Sequence, residues 1–188
     1  MSNILILGKY GAKTALDRLA ALAAAPSDDV VRIIVKEGDE APDSALIARH
    51  HRNMQGDVCD LLWEAASLDQ KAPLIIASER GFWNQLRLES AVSSQEGAEV
   101  SVLCSESTFA GFKFDADGRV CESADLPASV PYIVRFAHTE TFTDAAEDVI
   151  LQHKSEKDGK FGLHSVVNQL ILQNASIDVA ADEFGDLA

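Results

Sequence analysis

Five residues just after the first apolar run are of the types that hold phosphate. Gly8, Lys9, Gly11, Lys13 and Thr14 follow Ile4-Leu5-Ile6-Leu7. Where a strand hands over to a helix, the first amides have no intrahelical partner and carry about half a positive charge. Glycines let an oxyanion approach the backbone, and the lysines and the threonine hydroxyl add charge-assisted bonds. The stretch completes neither common phosphate motif. A P-loop aligned on Lys13-Thr14 puts Leu7 and Ala12 at its glycine positions, and a dinucleotide fingerprint ending on Gly8 and Gly11 puts Ile6 at its first. No aspartate closes the run Leu74-Ile75-Ile76-Ala77, so the second acidic motif of a standard NTPase is missing. The plain alternative is a tight turn with solvated lysines.

A second set of residues suits covalent or acid–base chemistry. Cys104 ends an apolar run, and His138 and Glu140 follow another. A thiol beside an imidazole with a carboxylate behind it would make a nucleophile pair for a small transferase or hydrolase. Against this, a cysteine ending a buried strand is most often a small apolar filler. The chain has no G-x-S-x-G, no H-E-x-x-H and no C-x5-R loop after Cys104. Arg49-His50-His51-Arg52 is the most basic run. If it lies on a helix, its four side chains diverge, while His50, Asn53, Asp57, Asp60 and Glu64 share a face. His50 and Asp57 would then stand about 10 Å apart, too far for one ion. This face reads as solvated polar surface, and no metal site is assigned.

These residues need a frame. Ile4 to Gly8, "DVVRIIVKEG" (Asp29–Gly38), "APLIIAS" (Ala72–Ser78) and "AEVSVLC" (Ala98–Cys104) are near-continuous apolar runs, as expected of strands buried on both faces. Helical patterns separate them, at Gly11–Ala25, from Asp43 or Ser44 to about Ala65 with a break near Gly56, and at Phe82–Gln95. The expected fold is α/β, a Rossmann-like three-layer sandwich with a mostly parallel sheet. Asp117-Gly118 within 111–121 signals a hairpin. "VPYIVRFA" is a further strand, with Pro131 at its start or on a sheet edge. Helices at Asp144–Lys154 and Leu163–Asn174 follow. We divide the chain into a core over 1–140, C-terminal helices over 141–175 packing on it, and an acidic, mobile tail over 176–188.

In such a sheet, ligands bind beyond the carboxyl ends of the strands, near the point where the strand order reverses. Ser78, Arg80 and Ser105 lie at such ends and join the opening loop as candidate ligand contacts. The chain's 188 residues carry a net charge of -14, which repels nucleic acid and anionic membranes and favours solubility or a basic partner. Cys59, Cys104 and Cys121 are an odd set without C-x-x-C spacing, as in a reducing cytoplasm. No run approaches the ~18 apolar residues of a membrane span.

The leading expectation is a module that binds a small phosphorylated or anionic, nucleotide-like ligand at Gly8, Lys9, Gly11, Lys13, Thr14, Ser78, Arg80 and Ser105. The alternatives are a small enzyme using Cys104 or His138 with strand-end carboxylates, and an interaction or assembly protein. The latter would associate through Phe82 or Trp83, or pair as a homodimer along the last helix. The sequence specifies no cofactor and does not decide whether the protein is an enzyme.

Overall fold

The computed structural model describes residues 2–7, 30–36, 47–50, 57–78, 97–127, 129–153 and 161–181. Seven strands form one mixed sheet: β1 (Asn3–Leu7), β2 (Val30–Lys36), β3 (Ile47–His50), β4 (Leu74–Ser78), β5 (Val100–Cys104), β8 (Tyr132–Phe136) and β9 (Ile177–Ala181), while β6 (Lys113–Phe114) and β7 (Val120–Glu122) pair separately. The order across the large sheet is β3-β2-β1-β4-β8-β5-β9. β8 is antiparallel to both neighbours; every other pair is parallel. β4 and β5 therefore run the same way with β8 inserted between them. The order reverses between β1 and β4, because the chain steps outward through β2 and β3 and then returns to β1's other side.

Alternation along each strand divides the sheet's residues between two buried faces. Leu5, Leu7, Ile34, Leu74, Ile76, Val100, Val102, Val134 and Phe136 share one cluster with helices α1 (Asp57–Ala65), α3 (Thr139–His153) and α4 (Leu163–Leu172). On the opposite face Ile4, Ile6, Ile33, Ile75, Ala77 and Ile133 are equally buried. The sheet is thus covered on both sides, the three-layer α/β arrangement expected from its continuous apolar runs. α3 buries Phe142, Ala145, Ala146 and Val149, spaced by three and four residues. Phe142 meets Phe136 edge to face, with centroids 5.2 Å apart, a geometry that adds about 0.5–1.5 kcal/mol beyond area burial. α4 turns Val166, Val167 and Leu170 into its own core.

Three expectations are corrected. The helix expected from Asp43 or Ser44 does not run through: Ile47–His50 form edge strand β3, paired with Ile33–Lys36, and Asp57–Ala65 are helical among the described residues. Asp60 and Glu64 are not on a solvated face but buried, and Glu64 accepts a hydrogen bond from Arg32. The stretch expected to be a mobile acidic tail supplies β9, whose Ile177–Ala181 pair with Val100–Cys104. Asn174 ends α4 in the left-handed region (φ 60°), and the Ala175 amide returns to the Leu170 carbonyl. Glu99 Oε2 then accepts from the Ser176 amide at 2.9 Å, which sets β9 in register. Pro131 stands just before β8, a central strand, so it marks a strand start rather than an edge. The hairpin forms at the expected place. Asp115 Oδ1 accepts from the amides of Asp117 and Arg119, both at 2.9 Å, and Gly118 supplies the positive φ of 78°.

At the base of the sheet, the end where the parallel strands begin, Asn3 is 2% exposed. Its side-chain amide donates to the Asp69 carbonyl and to Thr139 Oγ1, both at 2.8 Å. Thr139 Oγ1 in turn donates to the Ala72 carbonyl at 2.9 Å. One carboxamide thereby ties β1 to the loop entering β4 and to the first residue of α3. Asn3→Ala removes both bonds and leaves the buried Thr139 hydroxyl with the Ala72 carbonyl alone, at a cost of about 1–3 kcal/mol. Urea unfolding should show a lower midpoint with an unchanged slope.

Candidate functional site

The carboxyl ends of the parallel strands form a crest, and its centre is defined by register. Leu7 pairs with Ser78, so the carboxyl ends of β1 and β4 lie side by side at the reversal of strand order. This is the position at which open α/β sheets take ligands. Gly8, Lys9, Gly11, Lys13, Thr14 and Arg80 follow those two strands in the sequence and lie outside the described residues, as do Phe82 and Trp83.

Ser78 is fully buried, and its Oγ accepts a hydrogen bond from the Tyr132 amide at 3.1 Å. That bond seats the first residue of the antiparallel strand against β4. Ser105 follows β5 on the same crest and caps the short helix α2 (Glu106–Phe109). Its Oγ accepts from the Thr108 amide at 3.4 Å and lies 3.1 Å from Ser107 Oγ and 3.0 Å from Thr108 Oγ1. Ser107 belongs to the strand end Ser105-Glu106-Ser107 that the sequence marks, whereas the Thr108 hydroxyl has no signal there beyond its place three residues after a candidate N-cap serine.

The structure does not bring Cys104 and His138 together. Cys104 ends β5 at the crest, opposite Tyr132. His138 follows Phe136, which pairs with Val100 at the base, because β8 runs antiparallel. Four residues of strand, about 13 Å, separate the two levels. His138 is exposed, with Nδ1 2.9 Å from the Lys71 carbonyl oxygen, and Glu140 is exposed beside it, its amide donating to Gln70. Cys104 is fully buried with Sγ 3.9 Å from the Ala180 carbonyl, and burial pushes its thiol up to about 11. A thiol so protonated is a poor nucleophile at neutral pH. The pair expected from the sequence is thus overturned by strand direction. Burial and then the Asp60 carboxylate raise the Cys59 thiol as well.

No protein-family model and no curated protein matches the sequence. Solved structures do match the fold. A nucleoside-diphosphate-sugar pyrophosphorylase from Vibrio cholerae RC9 superposes with TM-score 0.57 at 12% identity, over 95% of this chain and 91% of that one. The 2-C-methyl-D-erythritol 4-phosphate cytidylyltransferase of Thermus thermophilus gives 0.56 at 16% identity, over 100% and 93%. The Francisella tularensis cytidylyltransferase of the same name gives 0.56 at 8% identity, over 99% and 93%. The chain has the Rossmann-like α/β fold found in these nucleotidyltransferases. Among the described residues no helix is long and apolar enough to cross a membrane.

The burial of Cys104 has a measurable consequence. The folded state keeps a proton that the unfolded chain releases near pH 9, so Cys104's contribution to stability is complete below pH 9 and is lost as pH rises towards about 11. At neutral pH, iodoacetamide should alkylate exposed Cys121 in the native protein and reach Cys104 only in urea. Mass spectrometry of the digested protein reads both outcomes.

Proposed function

We propose that the protein binds a nucleotide, or a phosphorylated small molecule of that kind, over the crest between β1 and β4, and that its chemistry is nucleotidyl transfer. The pairing of Leu7 with Ser78 carries this reading, because it sets the carboxyl ends of β1 and β4 side by side, and the Gly- and Lys-bearing stretch is the sequence that follows β1. In the proposal the amides of Gly8 and Gly11 and the side chains of Lys9, Lys13 and Thr14 take the phosphates. Arg80 approaches from across the crevice, and the hydroxyls of Ser105 and Ser107 flank it on the β5 side.

Two features support this reading. The structural neighbours are by name a pyrophosphorylase and cytidylyltransferases, which are nucleotide-handling proteins. The two lysines are also four positions apart in a chain whose net charge is -14, a concentration of cations with a use beyond solubility. In nucleotidyl transfer an oxygen of a phosphorylated acceptor attacks the α-phosphorus of a nucleoside triphosphate, and the bond to the departing pyrophosphate breaks with its electron pair. The protein's part is to align the two and to offset charge on the phosphate oxygens, which backbone amides and lysines do without forming a covalent intermediate. This route needs no thiol or imidazole, which agrees with the separation of Cys104 from His138.

Titration with CTP, UTP, ATP and GTP, followed by thermal unfolding, tests the binding. At least one should raise the melting temperature. Lys13→Ala should weaken it by about 1.5–3 kcal/mol, the value of a hydrogen bond to a charged group, or about ten- to a hundredfold in Kd. Release of pyrophosphate on adding sugar phosphates would report transfer. No stabilisation by any nucleotide, or stabilisation that survives both Lys9→Ala and Lys13→Ala, overturns the proposal.

A further inference from the structure

Away from the crest, α1 and α3 pack side by side over the sheet and leave a groove of about 610 Å³ between them. Half-buried Cys59, Leu62 and Ile150 line its depth; exposed Trp63, Ala66 and Glu147 line its sides. Trp63 is 67% exposed, and Leu151, one helical turn beyond Glu147, is 66% exposed. A large apolar side chain held so open at the wall of an apolar groove marks an interaction surface rather than scattered exposure. The spacing has a simple origin. Cys59, Leu62 and Trp63 lie three and four residues apart on α1, with Ala66 just past its end, and Glu147 and Ile150 lie three apart on α3.

The electrostatics choose the occupant. Neither helix contains a lysine or arginine; on α1 Asp60 and Glu64 are buried, and the neighbouring Arg32 is tied to Glu64 and to Ser67 at the groove's edge. The exposed carboxylates are on α3, with Glu147 lining the groove and Asp144 one turn before it. A second copy docked face to face would set these carboxylates against their equivalents, a costly like-charge contact. An apolar stripe flanked by lysines or arginines meets the groove with opposite charge at its rim and apolar side chains at its centre. We infer that the α1–α3 groove docks a cationic amphipathic helix of a partner protein, with Trp63 as the apolar anchor and Glu147 as the charged contact. This is the helix-in-groove mode of recognition, in which an aromatic residue at the centre of the patch holds most of the binding energy.

Fluorescence anisotropy of a labelled helical peptide of leucine and lysine, titrated with the full chain, tests the inference. Binding should saturate and weaken as salt rises. Trp63→Ala and Glu147→Lys should each weaken it about tenfold or more, whereas Leu172→Ala, at a 77% exposed position on α4, should leave it unchanged. Trp63 and Glu147 are both exposed, so the variants should keep the parent's thermal unfolding. Three results overturn the inference: no saturable binding; equal binding by the parent, Trp63→Ala and Glu147→Lys chains; or equal binding of a leucine–glutamate peptide. Light scattering that shows a dimer dissociated by Trp63→Ala would assign the groove to a second copy and overturn it as well.

Discussion

The geometry of the molecule depends on one inserted strand. β4 and β5 are parallel and consecutive among the sheet's strands along the chain, yet β8 lies between them and runs the other way. Its start is seated by the Ser78 hydroxyl on the Tyr132 amide, and its end delivers the chain to the base of the sheet, where Thr139 meets Asn3. Because β8 descends, α3 starts at the base and packs across one face against both α1 and α4. Had this strand been parallel, its carboxyl end would stand at the crest and His138 would lie near Cys104. A single reversal of direction thus separates residues of catalytic type and builds the helical layer that holds the groove.

The readable part of the fold came from residues whose burial leaves no choice. Ile4–Leu7, Ile33–Val35 and Leu74–Ala77 are apolar and buried on both faces, as a strand covered from two sides permits. β3 was not readable: Ile47–His50 is short, lies at an edge, and belongs to a run in which Ile47, His51, Met54 and Val58 mimic a helical stripe. β9 was hidden for a similar reason, since Ile-Asp-Val-Ala-Ala has half-exposed, small side chains and no continuous apolar signal. The direction of β8 left no local trace, because Tyr132–Phe136 is as apolar as a parallel strand would be.

The site divides along the same line. The crest could be located from the ends of the apolar runs, because register follows from them: Leu7 stands beside Ser78 as the runs' alignment implies. The pairing of side chains across strands could not be read, because it depends on strand order. Ser78 illustrates the difference. Its position at a strand end was evident, whereas its bond to the Tyr132 amide depends on which strand lies next to β4. The α1–α3 groove was invisible for the same reason, since Trp63 and Glu147 belong to helices whose adjacency the sequence does not state.

The outer side of β5 is covered only by β9, whose Ile177 stands opposite Val100 across an interval of more than seventy positions. During synthesis, β5 leaves the ribosome long before either of its neighbours, β8 and β9, exists. For that interval a nascent chain presents Val100–Cys104 with both backbone edges unpaired, a template for β-augmentation by any extended segment nearby. Proteolytic loss of Ile177–Ala181 from the finished molecule would reopen that edge of Val100–Cys104, which β9 otherwise pairs.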